Sequence, residues 1–447
     1  MPLETLGSRS TSRAPRSSAA RKLRTLARGS AAPFSVPLAL LIALAAPLEA
    51  APGRSGTPAR PEKAPDVAVT WKEKKLQLAK LPADLPAPAR AVIETWAPWA
   101  AENDYRLDLD AQGRILLVSS ERSTGPAARL RAIAKTETWF DELFPAPKAA
   151  PAEAPKAPAA PAGIPEDPEA PPPGAPATGG TTPKPASTSW TTSWGAGAGG
   201  MDTTTAVFFV IRDERDQAAL LDHLAAEHAY LAAWTATAKK QTGFVLEEPL
   251  CGGYVEKARG QQEWDPEHEL VNRVGQLLLL RRFGQEPFWL QQAVGWEAEL
   301  AFDGSLFCFP YRDEFVFATE HTGWPVELKN AFKDRADTPL TMAELAAWQR
   351  GRYDSARAHA AWGLLHHLVS TKPAELTPTL VELARFRTEH DKRSTGPNSW
   401  EKIPGYEIPA PDQERIFGAR FGADVLEQAS KAFRKGLDVS KAAAKSG

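Results

Sequence analysis

Apolar and polar residues alternate along the segment that begins at Tyr105, where Tyr105, Leu107 and Leu109 are separated by polar positions. A period of two is typical of a strand with one buried face. Ala-Gln-Gly at 111–113 supplies a turn, and the apolar run 115–118 predicts the returning strand of a hairpin. The segment 205–213 is apolar without alternation, which predicts a central strand covered on both faces.

Helical periodicity accounts for most of the remaining sequence. Residues 127–144 place Leu130, Ile133, Trp139 and Leu143 on one side of a predicted helix. Seven further helices are predicted, at 213–240, 267–283, 288–301, 341–349, 354–370, 375–388 and 411–435. The aromatic stretch 305–324 predicts a loop or short strands. Strands in the first half followed by helices in the second half predict an α+β fold.

Proline is unevenly distributed, and this distribution indicates the domain organisation. Of the 40 prolines, 14 lie in 145–200, among Ala, Gly, Thr and Ser. Such a segment buries too little apolar surface to offset the entropy lost on folding, so 145–200 is expected to be disordered, as are the Pro-rich residues 51–66 and the tail 438–447. The hairpin and helix within 67–144 supply too little core to fold alone, and the strand in 205–213 needs partners. Residues 145–200 are therefore predicted to be an insertion into one domain formed by 67–144 and 201–437.

The first 50 residues are typical of a signal peptide. A basic leader contains seven Lys/Arg, an apolar run follows at 34–46, and small residues around Ala50 and Ala51 suit cleavage. An uncleaved membrane anchor is the alternative, whereas a bacterial lipid anchor is excluded because no cysteine lies near the junction. The protein is expected to be exported, either periplasmic or secreted.

Charge and cysteine content narrow the possible partners and covalent structure. Loss of residues 1–50 removes seven Lys/Arg and two Asp/Glu, which changes the formal charge from −2 to −7. An acidic mature protein is not expected to bind nucleic acid, which selects basic surfaces. The two cysteines, Cys251 and Cys308, form a disulfide or remain two buried thiols.

The candidate chemistry lies in the predicted helices 267–283 and 288–301. Apolar residues of the first helix form a stripe that predicts burial on one side, namely Leu270, Val271, Val274, Leu277 and Leu278. On another face Asn272 and Gln276 lie one turn apart, and His268 lies one turn before Asn272. The second helix begins near Phe288-Trp289-Leu290 and carries Gln291 and Gln292.

This pair of helices resembles that of the peptidase-MA-like gluzincins, zinc peptidases of the thermolysin-type zincin fold. In that family a His-Glu-x-x-His helix supplies two ligands and a general base, and a Trp-Leu-x-Glu-Gly element on the next helix supplies the third ligand. Trp289-Leu290-Gln291-Gln292-Ala293 is similar to the second element, with Gln292 in place of the Glu. The corresponding register of the first motif puts Asn272 and Gln276 in place of the histidines and Arg273 in place of the general base.

The resemblance covers residues 100–144 and 201–390, and it implies a zincin-like fold. A small mixed or antiparallel sheet would pack on the motif helix, and a mostly helical subdomain would follow. Arg273 then either replaces the charge of the metal, paired with Glu269, Glu297 or Glu299, or is a solvated residue on a helix face. Both interpretations remain open from the sequence.

A second register keeps one ligand and the general base, at His268 and Glu269, with Asn272 as the other ligand. Neutral amides are weak zinc ligands, so neither register predicts tight binding of a catalytic metal, and no cofactor is expected. The family's activity would survive only if His268 and Glu269 acted with ligands from elsewhere in the chain.

Other polar residues are expected to have structural roles. Glu297 and Glu299 are two positions apart on a helix and are interpreted as solvated charges. Of the adjacent His366 and His367, one is expected to face the core and the other solvent. There is no serine nucleophile elbow, phosphate loop, Cys-x-x-Cys pair or dinucleotide fingerprint.

The sequence therefore predicts an exported pseudopeptidase, a peptidase-like protein without catalytic activity. A surviving cleft lined by Trp289, Trp296, His321 and Trp324 would bind a peptide, a protein or a component of the cell envelope. The two alternatives are an active zinc metallopeptidase that uses His268 and Glu269, and a structural protein of the envelope whose cleft is filled. The membrane would be a partner only through an uncleaved signal anchor.

Overall fold

The structure is a computed structural model. It describes residues 67–121, 125–146, 203–257, 266–304, 306, 308, 329, 330, 332, 340–350, 354–396 and 399–435. The predicted signal peptide, the Pro-rich residues 51–66, the tail 438–447 and nearly all of the predicted insertion lie outside the described residues, and so do His321 and Trp324.

A mixed sheet of seven strands occupies the first half of the domain. The strands are β1 (Ala68–Trp71), β2 (Lys74–Gln77), β3 (Tyr105–Leu109), β4 (Ile115–Ser120), β5 (Ala206–Ile211), β6 (Gly243–Leu246) and β7 (Cys251–Val255). Their spatial order is β2-β1-β3-β4-β5-β7-β6. Pairings β1–β3, β4–β5 and β5–β7 are parallel, and the other three are antiparallel. Strands β4 and β5, which come from opposite sides of residues 147–202, therefore lie side by side.

The predicted hairpin is confirmed as β3 and β4, and Asp110 holds its turn. The carboxylate of Asp110 accepts hydrogen bonds from the backbone N–H of Gln112 at 2.8 Å and of Ile115 at 2.7 Å. Gly113 has a φ of +71°, a conformation that glycine adopts without the steric cost of a side chain. The turn thus depends on an acceptor and a glycine at defined positions, as expected for a tight connection.

Helices surround the sheet and form most of the second half. In chain order they are α1 (Ala87–Glu102), α2 (Pro126–Leu143), α3 (Glu214–Glu227), α4 (Ala232–Ala238), α5 (Pro266–Phe283), α6 (Phe288–Asp303), α7 (Met342–Ala346), α8 (Ser355–Thr371), α9 (Pro373–His390), α10 (Ala410–Phe421) and α11 (Val425–Lys435). A separate two-stranded ribbon is formed by β8 (Lys392–Gly396) and β9 (Ser399–Lys402). None of the described helices is both long and apolar enough to cross a membrane.

Two predicted helices are each divided in the structure, and a third is shorter than predicted. The helix predicted at 213–240 ends at Glu227, and a 3-10 turn at Ala229–Leu231 leads into the short α4. The helix predicted at 411–435 is broken at Gly422, whose φ of +98° cannot continue an α-helix. The helix predicted at 341–349 ends at Ala346. Helix α1 was not predicted, and it contains Pro98 in its interior, where proline is unfavourable.

Strand β5 is covered on both faces, as its continuous apolar sequence predicts. Phe208 and Val210 face one core, which includes α2, α5 and α6. Val207, Phe209 and Ile211 face a second core, which includes residues of α1 and α3. Because side chains of a strand alternate between faces, a strand between two layers needs apolar residues at every position.

Helix α5 is buried on all sides, which corrects the prediction of one buried face. Every residue of α5 from His268 to Phe283 is buried. The helix packs on β5, β6 and β7, and it also contacts α2, α6 and α9. Its polar residues are therefore enclosed by protein and need partners within it.

Candidate functional site

Helices α5 and α6 are joined by residues 284–287 and approach closely at two glycines. A Cβ at Gly275 would lie 3.2 Å from the Cβ of Ala298. A Cβ at Gly295 would lie 2.8 Å from Asn272 Nδ2 and 2.9 Å from Asn272 Oδ1. The absence of a side chain at Gly295 thus leaves the space that the Asn272 amide occupies.

The structure brings together the three amide residues that the first register places at the metal position. Gln276 Nε2 donates to Asn272 Oδ1 at 2.7 Å, and Gln292 Nε2 donates to Gln276 Oε1 at 3.3 Å. All three side chains are buried. The three amide side chains are therefore hydrogen-bonded to one another in the interior.

Asn272 and Gln276 also belong to a longer series of hydrogen bonds, which we call the amide chain and define as Arg350, Gln291, Gln276, Asn272 and Glu299. Arg350 donates to Gln291 Oε1 at 2.7 Å, and Gln291 Nε2 donates to Gln276 Oε1 at 3.3 Å. After the Gln276–Asn272 bond, Asn272 Nδ2 donates to Glu299 Oε1 at 2.6 Å. Every donor points from the guanidinium toward the carboxylate, so the amide dipoles align and strengthen one another.

Glu299 ends the amide chain and is completely buried, at 0% exposed, so its interpretation as a solvated charge is wrong. Its Oε2 lies 3.2 Å from His268 Nδ1 and accepts a hydrogen bond from the backbone N–H of Cys308 at 3.3 Å. His268 Nδ1 also lies 3.6 Å from Asp303 Oδ2. His268 is therefore a partner of carboxylates on α6.

Arg273 is buried and paired, so the interpretation as a solvated residue is wrong. Its Nε donates to Glu269 Oε2 at 2.9 Å, and Thr242 Oγ1 donates to Glu269 Oε1 at 2.6 Å. Burial alone would lower the pKa of Arg273, but the adjacent Glu269 raises it above its ordinary value. A Cβ at Gly243 would lie 3.0 Å from Arg273 Nε, which locates this pair beside β6.

Glu297 is also buried, and it binds residues of α8 instead of solvent. His366 Nδ1 lies 3.0 Å from Glu297 Oε1, and Trp362 Nε1 donates to Glu297 Oε2 at 3.0 Å. Burial would lower the pKa of His366, but Glu297 raises it above the ordinary value. As predicted, His366 faces the core, whereas His367 is only partly buried.

Trp289 and Trp296 are fully buried and have packing roles. Trp289 Nε1 donates to Gln413 Oε1 at 3.0 Å, and its ring contacts Phe417. Trp296 stacks on Trp348 with 6.4 Å between ring centroids, and its Nε1 donates to the carbonyl of Cys308. Neither indole presents a surface to a ligand.

The residues that the first register places at the metal position do not fit zinc. Among the described residues, no group of three or more His, Cys, Asp or Glu side chains is arranged to hold a metal ion. Asn272, Gln276 and Gln292 are neutral amides whose hydrogen-bonding atoms are directed at each other, and amides are poor substitutes for imidazole or carboxylate. In the second register His268 contacts Glu299, and the carboxylate of Glu269 is held by Arg273 and Thr242.

No protein-family model matches this chain, and no curated protein matches it.

Both cysteines are free and buried. Of the two possibilities left open by the sequence, a disulfide or two buried thiols, the structure has the two thiols. Burial raises the pKa of the Cys308 thiol well above its ordinary range, and Glu269 and Glu299 raise it further. Such a thiol is a poor nucleophile, because only the thiolate reacts. Cys308 therefore contributes to the site as a hydrogen-bond partner of Glu299, not as a nucleophile.

Two participants were not predicted from the sequence. Arg350 binds Gln291 from 59 residues away, and Gln413 binds Trp289 from 124 residues away. No local pattern indicates either residue, since each is one polar position in a helical or turn segment. The buried state of Glu297 and Glu299 had a weak signal, because both follow the strongly apolar start of α6.

Proposed function

We propose that this chain is an exported pseudopeptidase, a protein with the helix pair of a zinc peptidase and without its chemistry. The observation that supports this proposal is the convergence of Asn272, Gln276 and Gln292, which bind each other where the resemblance places three metal ligands. The Arg-rich leader and apolar run in residues 1–50 support export.

The groups that a peptidase would need are engaged in other bonds. Glu269, the general base of the second register, accepts hydrogen bonds from Arg273 and Thr242. Arg273, at the base position of the first register, is permanently charged and cannot accept a proton at neutral pH. Hydrolysis by metal-activated water is therefore not supported at this position.

The partner is proposed to be a peptide, a protein or an envelope component, bound without cleavage. A structural role in the envelope is the second candidate, and the burial of Trp289 and Trp296 favours it, because a packed interior leaves these residues no ligand to bind. In either case the amide chain stabilises the pairing of α5 with α6, and the domain acts through its surface.

Metal analysis of two proteins tests the proposal. The natural chain, purified without chelators, is expected to contain far less than one zinc per molecule and to leave casein intact. A variant with Asn272→His, Gln276→His and Gln292→Glu is expected to bind close to one zinc, because the three ligands then occupy the positions at which the amides converge. This variant retains the Arg273–Glu269 pair, so it tests ligands alone.

The matched control carries Ala at the same three positions, which offers no ligand in an equally altered site. Zinc in the His-His-Glu variant but not in the Ala variant supports the register. A folded His-His-Glu variant without zinc would show that the resemblance is wrong. Stoichiometric zinc in the natural chain, lost on His268→Ala, would instead support the active metallopeptidase.

A further inference from the structure

Two buried carboxylic acids have no hydrogen-bond donor in the part of the chain that the structure describes. Glu137 on α2 is 1% exposed, and Glu286, between α5 and α6, is 2% exposed. All four carboxyl oxygens are buried and lack a hydrogen bond. An ionised carboxylate without donors is among the most costly groups to bury, so both acids are expected to hold a proton.

Glu137 faces charged groups on three elements. Asp141 lies one turn further along α2, Asp110 and Arg114 belong to the β3–β4 hairpin, and Arg281 lies on α5. Arg114 does not bind Glu137 but donates to Asp141 at 2.8 Å. Burial, followed by the nearby charge of Asp110, raises the pKa of Glu137 to about 8.

Glu286 faces Arg387 on α9 and Glu247, which follows β6. The guanidinium of Arg387 is already engaged, because it binds the Glu247 carboxylate and donates to the carbonyl of Phe283 at 3.4 Å. Burial raises the pKa of Glu286 well above its ordinary value; Arg387 lowers it, and Glu247 raises it.

Both acids flank the last turn of α5, where three arginines tie other elements to the helix. Arg281 Nε donates to the carbonyl of Thr204 at 2.7 Å, just before β5. Arg282 donates to the carbonyl of Phe144, at the end of α2, and Arg387 to that of Phe283. The carbonyls at a helix C-terminus carry partial negative charge, so an additional carboxylate there is unfavourable.

We propose that the C-terminal end of α5 is a proton-dependent latch. Protonated Glu137 and Glu286 keep this end packed between α2 and α9, and loss of their protons releases it. A release that exposes one such acid becomes about tenfold more favourable per pH unit between the ordinary and the raised pKa, because only the open state loses the proton. Two acids exposed in the same opening give about a hundredfold per unit.

Native-state hydrogen exchange of the full chain between pH 5.5 and 7.5 tests the latch. The readout is the opening equilibrium of the amides in the last turn of α5, corrected for the intrinsic rate at each pH. The opening constant is expected to rise with pH in the natural protein, to rise less steeply in Glu137→Gln or Glu286→Gln, and to be nearly independent of pH in the double variant. Glutamine has nearly the shape of a protonated glutamate, so these variants are expected to fold.

Glu142→Gln is the control, since it removes an exposed carboxylate from the same helix α2. This variant is expected to keep the slope of the natural protein. A slope near 0 in the natural protein would overturn the proposal. The proposal would also be overturned if Glu137→Gln and Glu286→Gln each reduced the pH dependence of a different set of amides. The two acids would then be exposed in separate openings and not in one.

Discussion

Asn272 Nδ2 donates to Glu299 Oε1 across the interface of α5 and α6 at 2.6 Å, and both side chains are buried. Asn272 therefore accepts a hydrogen bond from Gln276 and donates one to Glu299. The second bond offsets part of the free energy that the buried carboxylate loses on leaving water.

Replacement of Asn272 by Leu is expected to destabilise the protein by about 3 kcal/mol. The change leaves Gln276 Nε2 and Glu299 Oε1 buried without one partner each, and unpaired buried groups lose their full solvation energy. Urea unfolding measures the loss. Asn330→Leu, at an exposed asparagine, is the control and is expected to be nearly neutral. An equal effect of the two changes would mean that the amide chain is not stabilising.

Gly295→Ala is expected to destabilise the protein by about 1 to 3 kcal/mol, although alanine favours a helix more than glycine does. The new Cβ would lie 2.8 Å from Asn272 Nδ2, so the amide must move. Gly418→Ala in α10 is the control, because a Cβ there has no neighbour closer than 3.8 Å. Gly418→Ala is expected to raise the free energy of unfolding by about 1 kcal/mol, as measured by thermal or urea unfolding.

The cost of Gly295→Ala should also disappear when Asn272 is replaced by Ala. The double variant then shows a non-additive free energy of unfolding, because the clash requires both side chains. Strict additivity would contradict the close approach of Gly295 to Asn272.

Arg273→Met is expected to cost about 3 to 5 kcal/mol, because Glu269 remains as a buried charge without its cation. Arg273→Met combined with Glu269→Leu is expected to recover most of this loss. The exposed pair Arg393 and Glu401 provides the control, since Arg393→Met should cost less than about 1 kcal/mol. A mild Arg273→Met phenotype would favour a solvated arginine after all.

The contribution of His366 to stability is expected to depend on pH. Glu297 raises the pKa of His366 in the folded protein above its ordinary value of about 6.5. Below that value the imidazolium is present in both states and its bond to Glu297 is fully stabilising; the stabilisation is lost as pH rises through the folded pKa. His366→Gln should therefore cost about 2 kcal/mol near pH 5.5 and less at pH 8.5.

The neighbouring His367 gives a control of opposite sign. Burial, with Lys372 and His366, lowers the pKa of His367. As pH falls, His367 is protonated more readily in the unfolded state than in the folded state, which lowers the free energy of unfolding of the natural protein. His367→Gln removes this effect, so the variant is expected to gain stability relative to the natural protein at low pH. Urea unfolding at several pH values measures the free energy of unfolding of both variants. If this free energy changed with pH in the same way in the two variants, His366 would not form a charged pair with Glu297.

Much of the fold was predictable because it depends on local pattern. The hairpin at 105–120 and the helices at 126–143, 266–283 and 288–303 agree with the predictions to within two residues at each end. Periodicity is a property of neighbouring positions, so no distant partner is needed to recognise it. The short strands β1, β2, β6 and β7 were not predicted, because four or five residues carry too little pattern without knowledge of their neighbours.

The sequence also located the helix pair in which Asn272, Gln276 and Gln292 meet, because Asn272 and Gln276 lie one turn apart and Gln292 follows Trp289-Leu290 on the next helix. It indicates only weakly that Glu297 and Glu299 are buried, and it does not identify their partners. The partner of Glu297 is 69 residues away at His366, and that of Glu299 is 27 residues away at Asn272. An ionised carboxylate is stable in the interior only beside a hydrogen-bond donor, and here the residues that supply the donors are distant in the sequence.

By itself, then, the sequence determined the β3–β4 hairpin, strand β5 and most of the helices, and it showed that the α5–α6 pair carries amides and charged residues. Only the tertiary structure decided that α5 is enclosed on every side, that the amides bind one another, and that Arg273 is paired with Glu269. The physical reason is that secondary structure follows from local geometry and hydrophobic periodicity. The state of a buried polar group follows from the groups that folding brings to it from elsewhere in the chain.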